Sequence, residues 1–136
     1  MPITVEWHDS AHQILHYRFI NVWTWEEYYT ALAQGRTMER EAGHSVCTIN
    51  DMRQTQHVPD DFIEQARSVS LTRPTTTAIA VYISEDYHFT SIYNVIASLF
   101  PDTLITYPLV LTEDEALARI ATWFKDNPPA EPNSQA

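Results

Sequence analysis

The sequence predicts an α/β protein with a five-stranded, mixed but mostly parallel sheet and with helices mainly on one face. Two observations carry this prediction. The chain opens with two strand patterns in succession, which indicate an antiparallel hairpin. Helical and strand patterns then alternate, which gives the order β-β-α-β-α-β-α-β-α. Such alternation implies parallel pairing through right-handed crossovers, and crossovers that all step the same way keep the strands in sequence order.

Apolar side chains alternate with polar ones in the first two predicted strands, as in strands with one buried face. The apolar set is Ile3, Val5, Trp7, Leu15, Tyr17 and Phe19. Keeping this set on one face requires odd residues to pair with odd residues, across a loop of about three or five residues. One such register places Thr4 opposite Arg18 and Glu6 opposite His16 on the other face.

Four predicted helices begin at recognisable signals. Thr24 and Thr112 each open a capping box with a glutamate three residues later. The segments Pro59-Asp60-Asp61 and Ser84-Glu85-Asp86 precede two further apolar stripes. Gly35 lies inside the first helix, where glycine costs about 1 kcal/mol relative to alanine, and it marks either close packing or a bend.

Three further strand patterns complete the sheet. Residues 45–51 and 78–83 are nearly continuous in apolar and β-branched character, as in strands covered on both faces. The last strand is expected at residues 104–107, with an extension past Pro108 through residues 109–111. The proline favours an edge position for this strand, because it cannot donate a ladder hydrogen bond.

Length and composition indicate one domain at residues 1–125 and an unstructured, proline-containing tail at residues 126–136. The formal net charge of −10 argues against nucleic acid and anionic membranes as partners. No apolar run approaches the roughly 20 residues that span a bilayer, so no membrane insertion is expected. The N-terminus lacks a signal-peptide pattern and Cys47 is a lone cysteine in a buried strand, which together favour the cytoplasm.

The candidate site follows the carboxyl ends of two central strands, since parallel strands deliver these ends to one edge of the sheet. Segments 51–57 and 84–88 both precede predicted helices, whose free backbone N–H groups favour anionic partners. Arg53 adds a fixed cation there, so an anionic group on a ligand or partner is the expected occupant. The candidate binding residues are Asp51, Arg53, Thr55, His57, Ser84, Glu85 and His88.

The same residues suit general acid–base chemistry, with His57 or His88 as the proton-transfer group. The hairpin histidines His8, His12 and His16 offer nitrogen ligands for a metal, and His8 and His16 share a face with Glu6, which offers oxygen ligands. The common metal-binding motifs, however, are absent from the sequence. We therefore expect these three histidines to be exposed, and we expect no metal site and no cofactor. With only two glycines, the chain has no glycine-rich phosphate loop.

Aromatic residues are numerous for a small core, and tryptophan and tyrosine anchor interfaces and apolar ligand pockets as well as cores. They include Trp7, Trp23, Trp25, Tyr28, Tyr29, Tyr82, Tyr87, Tyr93 and Trp123. The sequence leaves three roles open for them: core packing with an amphipathic rim, a protein interface, or an apolar pocket.

The order of elements and three short motifs resemble the STAS-like (SpoIIAA-like) fold family, which includes bacterial anti-sigma-factor antagonists. The motifs are Trp23-Thr24-Trp25-Glu26-Glu27, Ile49-Asn50-Asp51-Met52 and Thr112-x-x-Glu115-Ala116-Leu117. The resemblance covers about residues 3–125 and implies a non-catalytic domain that binds protein partners or a small ligand. In the antagonists a phosphorylatable serine follows the acid that Asp51 matches, whereas Met52 and Arg53 follow it here.

The leading functional hypothesis is a non-catalytic STAS-like regulatory or protein-interaction module of the bacterial cytoplasm. The alternative is a binding or carrier domain for a small apolar or amphipathic ligand, held between the aromatic helices and the sheet. A third hypothesis is an enzyme that uses the loops of Asp51, His57 and His88. The expected partners are a protein or a small anionic or amphipathic ligand, and a homodimer is one expected arrangement.

Overall fold

The computed structural model describes residues 2–55, 58–71 and 77–128 of the chain. It shows the expected order of elements with one additional short helix, α4. The strands are β1 (Ile3–Trp7), β2 (Ile14–Asn21), β3 (Val46–Thr55), β4 (Thr77–Ile83) and β5 (Leu109–Val110). The helices are α1 (Trp25–Ala42), α2 (Phe62–Leu71), α3 (Tyr87–Leu99), α4 (Thr103–Thr106) and α5 (Glu113–Asp126).

The five strands form one mixed sheet in sequence order, β1-β2-β3-β4-β5. β1 and β2 are antiparallel, and the remaining neighbours are parallel. The predicted hairpin register is confirmed, because Thr4 pairs with Arg18 and Glu6 pairs with His16. The alternation requires odd residues to pair with odd residues, and the structure selects the register with the five-residue loop.

The hairpin connection spans residues 8–13. The His8 N–H donates to the Ile14 carbonyl at 2.8 Å, so the loop proper is residues 9–13, one of the two lengths expected from the sequence. Asp9 Oδ1 accepts hydrogen bonds from the backbone N–H groups of Gln13 (3.0 Å) and Ile14 (3.1 Å). His12 adopts a left-handed conformation with a φ of 55°. The aspartate side chain therefore supplies the hydrogen bonds that the backbone supplies in a tighter turn.

Three helices pack on one face of the sheet and build the larger core. Tyr17 and Phe19 of β2 belong to one buried cluster with Ala31 of α1, Phe62 of α2 and Phe89 of α3. These helices are the crossovers between successive parallel strands. Because the strands follow one another in sequence order, right-handed crossovers must all lie on the same face.

The last helix, α5, packs on the opposite face. A second buried cluster joins Val81 and Ile83 of β4 to Ala116 and Ile120 of α5. The expectation of helices mainly on one face therefore holds for the crossovers and not for α5. Among the described residues no strand follows α5, so the crossover rule does not constrain it, and the apolar side chains on the far face of β4 supply the surface on which it packs.

The strand prediction for residues 104–107 is wrong, because Thr103–Thr106 form α4. Only the predicted extension is a strand, and β5 pairs with β4 at the sheet edge as the proline indicated. The Pro108 carbonyl accepts a hydrogen bond from the Tyr82 N–H at 2.8 Å. A four-residue apolar run does not distinguish a strand from one helical turn, which explains the error.

β3 continues to Thr55 and does not end at Asp51 as the sequence suggested. Asp51, Arg53 and Thr55 are consequently strand residues and not loop residues. The extension pairs with β2, where Asn21 lies beside Thr55. The polar end of β3 thus finds its hydrogen-bond partners in a strand more than thirty residues earlier, which local sequence pattern does not reveal.

The predicted helix starts are confirmed. The Thr24 side chain accepts a hydrogen bond from the Glu27 N–H, and the Glu27 carboxylate accepts one from the Thr24 N–H. Thr112 accepts from the Glu115 N–H in the same way, at 3.1 Å. Asp86 caps α3 through its bond from a backbone N–H in the first turn.

Gly35 marks close packing, which decides between the two alternatives left by the sequence. A Cβ atom at this position would lie 1.7 Å from the Tyr17 hydroxyl oxygen. The absent side chain lets α1 approach the sheet at the place where the buried Tyr17 ring stands.

No helix among the described residues has the length and apolar character needed to cross a bilayer. His57 and residues 129–136 of the predicted tail lie outside the described residues.

Candidate functional site

Asp51 is the centre of a buried polar cluster on the α5 side of the sheet. Its side chain is 7% exposed, and its carboxylate accepts four hydrogen bonds. Oδ1 accepts from the Arg53 backbone N–H (3.2 Å) and from Arg53 Nε (2.9 Å). Oδ2 accepts from Arg53 Nη2 (2.7 Å) and bonds to His16 Nε2 (3.1 Å). The guanidinium contact is bidentate, which is the strong form of this ion pair.

Strand geometry explains why these three side chains meet. Asp51 and Arg53 are two residues apart in β3, so they project from the same face. In the parallel pairing of β2 with β3, Arg18 lies beside Asp51. His16, two residues before Arg18, therefore projects from the same face as the carboxylate and reaches it diagonally.

The protonation states in this cluster follow from the ionisation of Asp51. Burial alone would raise the pKa of Asp51, but hydrogen bonds from Arg53 and His16 hold it well below its ordinary value. The ionised carboxylate can only accept hydrogen bonds, so His16 Nε2 must be the donor. In the neutral ring this leaves His16 Nδ1 with a free lone pair. That atom is buried and has no hydrogen-bond partner among the described residues.

Arg53 connects β3 to the first turn of α5. Its Nη2 atom lies 3.6 Å from Glu113 Oε1, and its side chain is 39% exposed. The hydrogen bond to Asp51 raises the pKa of Arg53, and the charges of Glu113 and Glu85 add to this effect. The cation expected to receive an external anion is therefore already balanced by carboxylates of its own chain.

Two predicted site residues have structural roles near the strand ends. Thr55 Oγ1 donates to the Asn21 carbonyl (2.9 Å) and accepts from Trp23 Nε1 (3.1 Å), which ties the ends of β2 and β3 together. Ser84 is fully buried, and its Oγ accepts from the Asp86 N–H at 3.1 Å. Both hydroxyls stabilise the turns in which they lie.

The remaining predicted residues lie at the surface. Glu85 is exposed and near enough to Arg53 to affect its pKa. His88 is exposed on a groove that it forms with residues 58–64 at the start of α2. The structure thus brings Asp51, Arg53 and Glu85 together, places Thr55 and His88 elsewhere, and does not describe His57.

Sequence reasoning missed the neighbours of Asp51 that come from other elements. His16 is 1% exposed, so the expectation of an exposed strand histidine is wrong for this residue. Glu113 is not among the predicted site residues, yet it stands beside Arg53. The one available signal was the alternation in β2, which already placed His16 on the polar face. The parallel register that sets it against Asp51 is a tertiary property.

The opposite face of the sheet carries an aromatic cleft between β4 and helices α2, α3 and α4. Its volume is about 510 Å³, which is within the range of small-molecule sites. The aromatic side chains that line it are Phe62, Tyr82, Phe89, Tyr93, Phe100 and Tyr107. A smaller cavity of about 70 Å³ lies against α1 and shares Phe62, Ala66, Tyr82 and Tyr107 with the cleft.

The polar side chains of the cleft are Arg67, Asp102, Thr103 and Thr106, besides the tyrosine hydroxyls. Arg67 stands at its rim with its guanidinium carbon 5.3 Å from the centre of the Phe100 ring. Within the described part of the chain, no carboxylate lies at ion-pair distance from Arg67. The buried Tyr93 hydroxyl makes no hydrogen bond of ordinary geometry to the described residues. Burial raises the pKa of Tyr93, although the nearby Leu109 backbone and Arg119 act in the opposite direction.

Comparisons with protein-family models, with curated proteins and with solved structures each found no match for this chain.

Proposed function

We propose that the chain is a non-catalytic binding module for a small amphipathic molecule with an apolar body and an anionic head group. The observation that carries the proposal is the aromatic cleft between β4 and helices α2 to α4. The apolar body packs among Phe62, Tyr82 and Phe89, and the head group lies beside Arg67 at the rim.

The chemistry of the cleft selects this class of ligand. Apolar surface removed from water contributes about 25 cal/mol per Å², so an aromatic lining binds an apolar body without specific polar contacts. Arg67 is an exposed cation without a carboxylate partner among the described residues, in a chain of net charge −10. An anionic head group forms an ion pair with the guanidinium there, which a neutral head group cannot form.

The polar residues considered for catalysis support the non-catalytic part of the proposal. The Asp51 carboxylate already accepts four hydrogen bonds from its own chain. The Ser84 hydroxyl accepts the bond that forms its turn. The four bonds occupy the lone-pair sites of the carboxylate, and the Ser84 hydroxyl is fully buried, so neither group is placed to activate a substrate.

Decanoate and decanol test the proposal, because they share an apolar chain and differ in the head group. Isothermal titration should show decanoate binding with one site and more tightly than decanol. Arg67→Gln should weaken decanoate binding about tenfold, the value of one charged hydrogen bond, and leave decanol binding unchanged. Ala66→Phe fills the space shared by the cleft and the inner cavity and should weaken both ligands.

Arg40→Gln is the matched control, since Arg40 lies on α1 and bonds to Thr37 away from the cleft. It should leave both affinities unchanged. If neither compound binds, or if Ala66→Phe and Arg67→Gln bind decanoate as the wild type does, the cleft is not the site.

A STAS-like regulatory or protein-interaction module is a second candidate, favoured by exposed apolar side chains beside the cleft. They are Leu71, Leu99, Leu104 and Ile105, with exposed fractions between 57% and 77%. Native mass spectrometry of the purified chain separates the two candidates. A bound mass of ligand size favours the carrier, whereas a dimer that Ile105→Glu dissociates favours the interaction module.

A further inference from the structure

Three side chains with metal-binding atoms meet beside Asp51, on the sheet face opposite the aromatic cleft. They are His8, His16 and Glu113, whose ligand atoms lie within 4.8 Å of one another. The two imidazole ring centres are 5.8 Å apart. His8 follows β1, His16 lies in β2 and Glu113 begins α5, so the tertiary fold assembles the group from three elements.

His16 has the surroundings of a metal ligand. Its Nε2 atom bonds to the ionised Asp51 carboxylate, which Arg53 holds in place on both oxygens. In metal sites, a carboxylate behind the imidazole fixes the orientation of the ring and raises the basicity of the other nitrogen. That other nitrogen, Nδ1, is buried and has no partner among the described residues. A buried acceptor of this kind is costly unless a donor or an ion satisfies it.

The distances fit a metal ion after small side-chain rotations. Ligand atoms around a tetrahedral Zn²⁺ lie about 3.3 Å apart, given metal–ligand distances of about 2.0–2.1 Å. The three ligand atoms lie within 4.8 Å of one another, so side-chain rotation, including movement of Glu113 away from Arg53, has to close a gap of at most about 1.5 Å. Asp51 and Glu113 together carry one more charge than Arg53, so the local field does not repel a cation.

We propose that His8, His16 and Glu113 bind a divalent transition-metal ion such as Zn²⁺, with the fourth position open to water. Two imidazole nitrogens and one carboxylate oxygen are a donor set that suits zinc. Asp51 is a positioning residue that orients His16 and touches no metal. The site and the aromatic cleft lie on opposite faces of the sheet, so this proposal does not depend on the proposed function.

The test uses the full chain without a polyhistidine tag, freed of metal by dialysis against a chelator. Titration with Zn²⁺ should show one equivalent bound, and Co²⁺ should give the visible absorption of a tetrahedral site. His8→Asn and Glu113→Gln should each weaken Zn²⁺ binding at least tenfold. His16→Asn is less informative, because removing a buried partner of Asp51 also affects folding.

Matched controls lie on the same elements. His12→Asn changes the neighbouring hairpin histidine, which stacks on Trp7 and whose positive φ asparagine tolerates. Asp114→Asn changes the next acid of α5. Both controls should bind Zn²⁺ as the wild type does, and circular dichroism should show all four variants folded.

Asp51→Asn distinguishes a positioned ligand from a loose cluster of side chains. It should weaken Zn²⁺ binding about tenfold while the stoichiometry stays at one, because the imidazole loses its orientation and not its nitrogen. Failure of the wild type to bind Zn²⁺ overturns the proposal. Equal losses in the His12 and Asp114 controls would overturn it as well, since binding would then reflect surface charge alone.

Discussion

Asp51 illustrates at the scale of one residue how the chain accommodates a charge in its interior. Removing a carboxylate from water costs several kcal/mol, and only good geometry with saturated hydrogen bonds offsets that cost. The bidentate contact with Arg53 and the bond from His16 supply both conditions. A variant that removes the charge leaves the donors of buried His16 and half-buried Arg53 without an ionised acceptor. This loss lowers the free energy of unfolding.

We expect Asp51→Asn to lower the free energy of unfolding at pH 7 by about 3 kcal/mol, the cost of breaking a buried ion pair. The pKa of Asp51 is lowered in the folded chain. Its stabilisation is therefore fully present above the unfolded pKa of about 3.9 and is lost as the pH falls below it. Denaturant unfolding at pH 7 and at pH 3 measures the free energy of unfolding of the variant and of the wild type. The difference between these two free energies should be smaller at pH 3.

Exposed Asp114 provides the comparison for this measurement, and Asp114→Asn should change stability by no more than about 0.5 kcal/mol at either pH. If Asp51→Asn and the wild type differ in free energy of unfolding by the same amount at both pH values, the charge of Asp51 is not what stabilises the fold.

Gly35 is the second residue whose role depends on one contact. Gly35→Ala gains about 1 kcal/mol of helix propensity, but the added carbon falls 1.7 Å from the hydroxyl oxygen of the buried Tyr17 ring. Because overpacking costs about 1–3 kcal/mol, a net destabilisation is expected. Thermal unfolding of the single variants and of the double variant with Tyr17→Phe measures the coupling.

The double variant should lose less stability than the sum of the two single changes, because removal of the hydroxyl relieves part of the clash. Strict additivity would place the cause of the destabilisation outside the Gly35–Tyr17 contact.

At the scale of single elements, the helix ends were the most predictable features of the chain. We expect Thr24→Ala and Thr112→Ala each to destabilise by about 1 kcal/mol, since each removes a side-chain acceptor for a free backbone N–H. Thr37→Ala is the control, because Thr37 lies inside α1 and bonds to the Ala33 carbonyl instead. It should leave the denaturation midpoint unchanged or raise it, since alanine is the better helix former.

Unchanged midpoints for both cap variants would contradict the assigned helix starts.

The capping signals are local, whereas the sequence between residues 101 and 111 contains no comparable signal. There Thr103–Thr106 form α4, and the strand lies past Pro108 at Leu109–Val110. The conformation of such a short segment depends on the tertiary surface against which it packs.

At the scale of the whole molecule, the sheet separates two surfaces with different chemistry. The crossover helices leave the aromatic cleft on one face, with Arg67 at its rim. α5 closes part of the other face and brings Glu113 to the polar residues of β2 and β3. Because α5 follows the last strand, its position is set by the apolar face of β4 and not by the crossover rule.

The sequence by itself determined the α/β fold class, the order of elements along the chain, the pairing of odd with odd residues in the hairpin and the helix caps. Each of these follows from interactions between residues close in the chain, or from a handedness rule that all such chains obey. It also pointed to Asp51 and Arg53, because strand ends in parallel sheets collect polar groups.

Only the tertiary structure decided what surrounds those residues. The parallel register of β2 on β3 turned His16 from an expected surface histidine into a buried partner of Asp51. The placement of α5 added Glu113, and the spacing of α2 and α3 opened the cleft. The His16–Asp51 and Arg53–Glu113 contacts join residues more than thirty positions apart, and their geometry depends on the packing of side chains across the whole sheet. No local periodicity carries that information.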